Sequence, residues 1–354
     1  MSRHRLPLGL APLLVAVLFC APAWAQRAVP PRNFAPGVVT TIPPAVEADE
    51  MLSGPVPLVE PLAIPGLEYD PKLAPKTATI FERSKAVTLR RTVWNLEFSF
   101  KPMRMIQVDV PQASGKMQRK LVWYMVYRVR NLGNHVRPKE VAEEQKAPAG
   151  DALRSNVTYA KELTGKEDLD MFGQNAGGSE FDRRFRFFPH FVLASTEYGK
   201  EYLDKVIPAA LAPIKAREFP SRPDQKLYDS LTISMPLPIS DESGEGEQGL
   251  WGVVTWTDID PRIDYFVVYV QGLSNAYRFE DPAGGYKAGD PPGTGRVIKR
   301  KTLQLNFWRP GDTVDLNEQE IHFGCRIDPD PAEQEKVLKQ YGIERPVDYV
   351  WVYR

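Results

Sequence analysis

The sequence predicts an all-β fold, an elaborated antiparallel β-sandwich with one or two short peripheral helices. Three observations carry this. Past position 85, apolar side chains recur at every second residue in one run after another. Glycine, proline, asparagine and aspartate clusters separate the runs. The strand–helix–strand rhythm of a parallel α/β sheet is missing.

The elements follow in order. Trp94, Leu96, Phe98 and Phe100 share one face, and Asn95, Glu97, Ser99 and Lys101 share the other. Pro102 interrupts; Ile106, Val108 and Val110 then resume the alternation opposite Gln107 and Asp109. The polar loop PQASGKMQRK, with Gly115, suits an antiparallel hairpin leading into LVWYMVYRVR. There Leu121, Trp123, Met125, Tyr127 and Val129 stand in phase, with Val122, Tyr124, Val126, Arg128 and Arg130 opposite. The second of these faces starts apolar and ends basic, so it is covered at one end and wet at the other.

Further runs hold Phe185, Phe187, Phe191 and Leu193, then Leu231, Ile233, Met235, Leu237 and Ile239. Trp251, Val253 and Thr255 precede YFVVYV, 265 to 270, which is apolar on both faces and predicts a strand buried on both. Leu303, Leu305 and Phe307 lead into the turn Arg309-Pro310-Gly311-Asp312. Ile321 to Ile327, with Cys325 in phase, and Val347, Tyr349, Trp351 and Tyr353 bring the tally to about ten strands.

One helix is well marked: Asp330 as N-cap, Pro331 at its first position, Glu333 reaching back, and Gly342 after Tyr341. A weaker helical patch covers Lys200 to Glu218, broken at Pro208 and Pro213. Residues 136 to 180 lack a period and predict a long, mobile insertion between strands.

The N-terminus sets the compartment. Arg3 and Arg5 precede an apolar run from Leu6 to Cys20, and Ala23-Trp24-Ala25 gives the small-x-small pattern that signal peptidase accepts. Residues 1–25 therefore read as a signal peptide, and the chain as exported, periplasmic or extracellular. Two alternatives stay open. The run could remain as an anchor, although Pro7, Gly9, Pro12 and Pro22 weaken such a helix. Cys20 could take a lipid, although Phe19 stands where lipid-attachment sequences carry a small residue. No later stretch predicts a membrane span. Residues 26–84 read as a disordered, proline-rich tether, with eleven prolines between 26 and 80. Residues 85–354 form the sandwich; the alternative is a split into 85–240 and 250–354 at the acidic loop DESGEGEQG, 241 to 249.

Composition narrows the chemistry. The chain has 45 basic and 45 acidic side chains; the leader holds two of the basic and none of the acidic, leaving 43 against 45. That balance argues against a nucleic-acid partner. Cys325 alone remains after cleavage, so no intramolecular disulfide forms; it reads as a small buried hydrophobe. His135, His190 and His322 are scattered and show no zinc-site spacing, and His190 falls in the rim phase of its strand. No G-x-S-x-G elbow, phosphate loop or dinucleotide fingerprint occurs. GGYKAGDPPGTGR, 284 to 296, is glycine-rich but lacks the helix start that would gather amides on a phosphate.

Two groups of residues remain as candidates. Asp258, Asp260 and Asp264 in TDIDPRID could ligate calcium, which takes several hard oxygens, although Asp260-Pro261 also reads as a turn. Asp241, Glu242, Glu245 and Glu247 offer the same two readings. Trp123, Tyr124, Tyr265, Tyr269, Trp308, Trp351 and Tyr353 exceed what one core face needs; exposed, they could stack on sugars or anchor a protein. The alternative is that both sheet faces are covered, partly by the helix ending at Tyr341.

YRVRNLG resembles the start of a hairpin in immunoglobulin-like bacterial extracytoplasmic domains, and VVYVQGLSNAYRF is similar to paired late strands of such folds. LEFSFKPMRMIQVDVP, WTDIDPRIDYFVVYVQGLSN and KTLQLNFWRPGD resemble uncharacterised secreted proteins of planctomycete-type bacteria, over roughly 85–354. The resemblance implies an Ig-like sandwich and no reaction. Two functions are left: an exported, non-catalytic interaction or structural module of the cell envelope with a protein or polysaccharide partner, or a secreted hydrolase or calcium-dependent carbohydrate binder.

Overall fold

The computed structural model describes residues 39–43, 45, 47–66, 80–132, 135–141, 158–164, 185–237, 249–310 and 321–354. Two antiparallel sheets face each other. Their strands in chain order are β1 (Thr40–Ile42), β2 (Glu97–Phe100), β3 (Arg104–Pro111), β4 (Met117–Arg130), β5 (His190–Ser195), β6 (Lys200–Leu203), β7 (Leu250–Thr257), β8 (Tyr265–Gln271), β9 (Tyr277–Glu280), β10 (Val297–Trp308), β11 (His322–Phe323) and β12 (Tyr349–Tyr353). The first sheet runs β1-β2-β4-β7 with β3 also on β4; the second runs β6-β5-β8-β10-β9 with β11 and β12 also on β10.

The inner faces meet in one core. Phe98, Phe100, Trp123, Met125 and Tyr127 come from the first sheet, and Phe191, Phe266, Val268, Leu303, Leu305 and Phe307 from the second. These are the in-phase residues of the alternating runs. Aromatic pairs tie the layers: Trp123 meets Phe266 edge-on at 5.7 Å, and Tyr127 lies 4.8 Å from Phe191. β7 belongs to the first sheet and β8 to the second, so both layers draw on chain from either side of 241–249.

Each outer face carries a helix of eleven residues. α1 (Pro208–Glu218) lays Ala210 and Ile214 over Val122, Tyr124, Val126 and Val253. α2 (Pro331–Tyr341) lays Val337 and Tyr341 over Ala194, Val267 and Cys325. YFVVYV is accordingly covered on both sides. The two faces of β4 also follow expectation: Val122, Tyr124 and Val126 are buried, while the face ends at half-buried Arg128 and Arg130.

Several expectations need correction. The tether is structured in part: β1 pairs with β2, Ile42 enters the core, Leu52–Val56 pairs with Val87–Arg90, and Met51 packs on Val93 and Ala276. Proline did not prevent this because Pro43 and Pro57 fall between short elements, Pro55 sits where the pairing of Leu52–Val56 shifts register between Ser53 and Val56, and Pro61 lies in the first turn of Val59–Leu62. Residues 1–38 and 67–79 lie outside the described residues, so the leader does too. The hairpin loop after β3 shrinks to Gln112–Lys116, closed by the Gln112 amide on the Lys116 carbonyl at 2.8 Å. Lys200–Glu218 divides into β6 and α1, which Pro208 starts rather than breaks. Among the described residues, the run from Leu231 yields strand only at Pro236–Leu237. Asp229 wins there: its carboxylate accepts from the Leu231 and Thr232 amides and turns the chain, leaving Leu231 exposed. Within 136–180, His135–Val141 pairs with Thr158–Thr164 as a ribbon. Around Cys325 only His322–Phe323 is strand, and Ile327 is exposed.

Candidate binding groove and the charged clusters

Buried charge identifies the places where this fold had to make special provision. The first lies under the C-terminal end of α1. Glu218 is buried, and it receives the Tyr124 hydroxyl at 2.8 Å, with the Lys101 ammonium and the Arg104 guanidinium each 3.5 Å away. Lys101 also donates to the Glu218 carbonyl and stands 4.1 Å over the Phe219 ring. Burial pushes the Lys101 ammonium below the usual lysine range against the pull of Glu218, and burial with Glu218 pushes the Tyr124 hydroxyl up. Strand phase put Lys101 here together with Glu97 and Ser99; that polar face of β2 is buried.

The second provision joins the N-terminal segment to the second sheet. Glu50 and Lys301 are buried together as an ion pair, and the Tyr353 hydroxyl donates to the same carboxylate at 2.6 Å. Burial raises the Tyr353 hydroxyl, and Glu50 raises it further.

In front of Trp251 lies a groove of about 630 Å³. Ser221, Arg222, Pro223, Asp224, Gln225 and Lys226 form one wall, and Tyr228, Gly249, Leu250 and Trp251 the other. The sequence places this wall by ending α1 at Phe219 and turning twice, with the Arg222 amide on the Phe219 carbonyl and the Gln225 amide on the Arg222 carbonyl. Tyr228 then pairs in parallel with Gly252 beside β7. Trp251 is fixed from behind: Phe219 meets it edge-on at 5.1 Å and the Arg128 guanidinium lies 5.3 Å from its ring. The groove therefore offers ammonium, guanidinium, carboxylate, amide and hydroxyl groups beside a tryptophan that is itself buried. The wall SRPDQK carried no expectation in the sequence.

The aspartates take up structural posts. Asp258, at a left-handed φ of 60° just after β7, accepts from Lys120 at 3.1 Å, Lys205 at 3.2 Å and the Thr257 hydroxyl at 3.0 Å. Lys120 is the chief cause that holds its carboxyl below the usual range. Asp260 is buried and accepts from Arg262 through Nε at 3.0 Å and Nη2 at 2.8 Å, and from Lys200 at 2.7 Å. Arg262, then Lys200, hold it far below the usual range. Asp264 stands apart from these cations; burial raises its carboxyl, partly offset by Arg309 and Arg326. Among the described residues no three acids, histidines or cysteines are grouped to hold a metal ion. A calcium ion at Asp258 or Asp260 would have to displace Lys120, Lys200, Lys205 or Arg262. Asp260 and Pro261 make the turn that the sequence also allowed, with the Ile263 amide on the Asp260 carbonyl at 3.3 Å. Asp241, Glu242, Glu245 and Glu247 lie outside the described residues.

Of the candidate aromatics, Trp123 and Tyr124 are buried, and Tyr265, Tyr269, Trp308, Trp351 and Tyr353 are half-buried. The faces of several are taken by the protein's own cations. Arg354 lies 3.9 Å over Tyr269, Arg278 4.1 Å over Tyr353, and Lys301 5.4 Å over Trp351. A sugar ring would have to displace them. His190 is exposed at the start of β5, and His322 is buried against Trp308 at 4.4 Å. Cys325 is buried, with its thiol pushed up to about 11 by burial. The chain 284–296 is built of turns, and Gly295 passes so close to Gly285 that a Cβ would sit 2.4 Å from its carbonyl oxygen. No protein-family model, no curated protein and no solved structure matches this chain.

Proposed function

We propose that this chain is an exported, non-catalytic interaction module of the bacterial cell envelope, and that the groove beside Trp251 takes a strand of envelope polysaccharide. The observation that carries this reading is the groove's lining. Ser221, Asp224 and Gln225 offer donors and acceptors to hydroxyls, while Arg222 and Lys226 suit the carboxylates of an acidic sugar polymer. Its volume lies within the range of roughly 300–1,000 Å³ of ligand sites. Four of the acids hold structural posts. Glu50, Glu218, Asp258 and Asp260 each hold a lysine or arginine of the same chain. Export rests on the leader pattern of residues 1–25, and the Ig-like character on the resemblance of the late strands.

Co-sedimentation of the purified mature protein with isolated bacterial cell-wall sacculi tests the reading. The protein should pellet with sacculi, and replacing both Arg222 and Lys226 by Ala should lower the affinity about tenfold, the loss of roughly 1.4 kcal/mol. Equal retention of the double variant would remove the groove from the account. Release of new reducing ends from the sacculi by the wild-type protein would show a hydrolase instead.

A further inference from the structure

β12 is an edge strand. It pairs with β10 alone among the described residues, from Tyr349 opposite Leu305 to Tyr353 opposite Lys301. The Arg354 amide and carbonyl both bond to Arg300, and the Asp348 carbonyl accepts from Asn306. The two-residue alternation of an antiparallel ladder then turns the even-numbered residues toward β10 and the amides and carbonyls of Tyr349, Trp351 and Tyr353 toward the open side. The devices that usually protect an edge are missing from it: Tyr-Val-Trp-Val-Tyr has no charge and no proline, and its pairing with β10 shows no bulge.

The same five residues read identically in both directions. An antiparallel partner with its two-fold axis at Trp351 sets Tyr349 against Tyr353 of the other copy, Val350 against Val352, and Trp351 against itself. In that register every outward-facing residue meets another outward-facing residue, giving about six inter-chain backbone hydrogen bonds. One step further out, exposed Asp348 comes opposite exposed Arg354 of the other copy, at both ends of the pair. This is a non-hydrogen-bonded position, where side chains approach most closely. Arg354 now holds Glu201 at 2.9 Å across the outer face and lies 3.9 Å over Tyr269, so pairing with Asp348 of the other copy exchanges these exposed contacts for one across the interface. A two-fold contact of this kind is closed, so it ends at the dimer.

We infer that β12 is a homodimerisation edge, joining the second sheets of two copies of this chain antiparallel through Tyr349–Tyr353 about an axis at Trp351. The inference stands independently of the groove, which lies against the first sheet.

Light scattering after gel filtration of the full mature chain, with hydrogen exchange read at the Trp351 amide, tests it. The wild-type protein should run at twice the chain mass at micromolar concentration, with that amide protected, and dilution should yield monomer with rapid exchange. Val352→Lys, a lysine guard on the edge, should be monomeric with unchanged near-ultraviolet dichroism. Asp348→Arg should weaken the dimer at least tenfold, and adding Arg354→Asp in the same chain should restore it. A monomer at all concentrations, a dimer indifferent to Val352→Lys, a Trp351 amide protected in the monomer, or failure of the charge reversal to restore pairing would each overturn the inference.

Discussion

The two helices that cover the sandwich have the same length and both start with proline, yet they are held by opposite means. α2 is specified by its own ends. The Asp330 carboxylate accepts from the Ala332 amide at 3.0 Å, and Gly342 takes a left-handed φ of 66° so that the chain can leave. Only one detail differs from expectation: Glu333 pairs with Lys336 at 2.6 Å, and Gln334 turns back to the Asp328 amide. α1 has none of this. Ile207 supplies no side-chain cap, Pro213 sits inside the helix, and no left-handed glycine ends it. An interior proline removes one backbone hydrogen bond and clashes with the preceding turn, at a cost of about 3 kcal/mol. What holds α1 is the buried tie of Glu218 to Lys101, Tyr124 and Arg104, together with Ala210 and Ile214 on the sheet. A helix can be written locally, or it can be imposed by contacts more than ninety residues away in the chain, such as Tyr124 with Glu218.

The contrast can be broken most strongly at Lys101. Lys101→Met should destabilise the protein by about 3 kcal/mol, because it takes the buried ammonium from Glu218 and leaves only the Tyr124 hydroxyl and the more exposed Arg104 beside that charge. Urea unfolding measures the loss, and native-state hydrogen exchange should show α1 opening before α2. A loss below 1 kcal/mol would mean that packing alone holds α1. Next in size is Pro213→Ala, at an exposed position. Restoring the amide opposite the Ala209 carbonyl should stabilise the protein by about 2 kcal/mol, seen as a higher urea midpoint. In α2, Gly342→Ala should cost about 1–2 kcal/mol, since a Cβ is strained at that φ although no atom stands within 4 Å of it. The smallest effect belongs to Asp330→Ala, about 1 kcal/mol for a lost N-cap. Cys325 reports on it: with the thiol pushed up to about 11, little thiolate exists at pH 8 and labelling requires α2 to lift. Asp330→Ala should speed alkylation at pH 8 about fivefold, and Lys101→Met should do so only through global unfolding.

The legible parts of the sequence share one property: their signals lie within a few residues of what they specify. The period of two in β4 and β10, the doubly apolar run of β8, and the caps of α2 are of this kind. The illegible parts depend on a competing local turn or on partners remote in the chain. Leu231 to Leu237 alternates like a strand, but Asp229 turned the backbone first. The lysines that hold Asp258 and Asp260 could not be read beside them, because Lys120, Lys200 and Lys205 stand elsewhere in the sequence. Aromatic residues suggested stacking platforms until Arg278 and Arg354 proved to lie on two of them.

By itself, the sequence determined that this protein layers two antiparallel sheets and caps one of them with α2, because side-chain alternation and helix ends act through neighbouring backbone. Only the tertiary structure decided that the N-terminal segment joins the sandwich through Glu50 and Lys301, that α1 survives its proline, and that Tyr-Val-Trp-Val-Tyr forms an edge. Each of these depends on how burial pairs charges and amides, and that pairing exists only after distant segments have met.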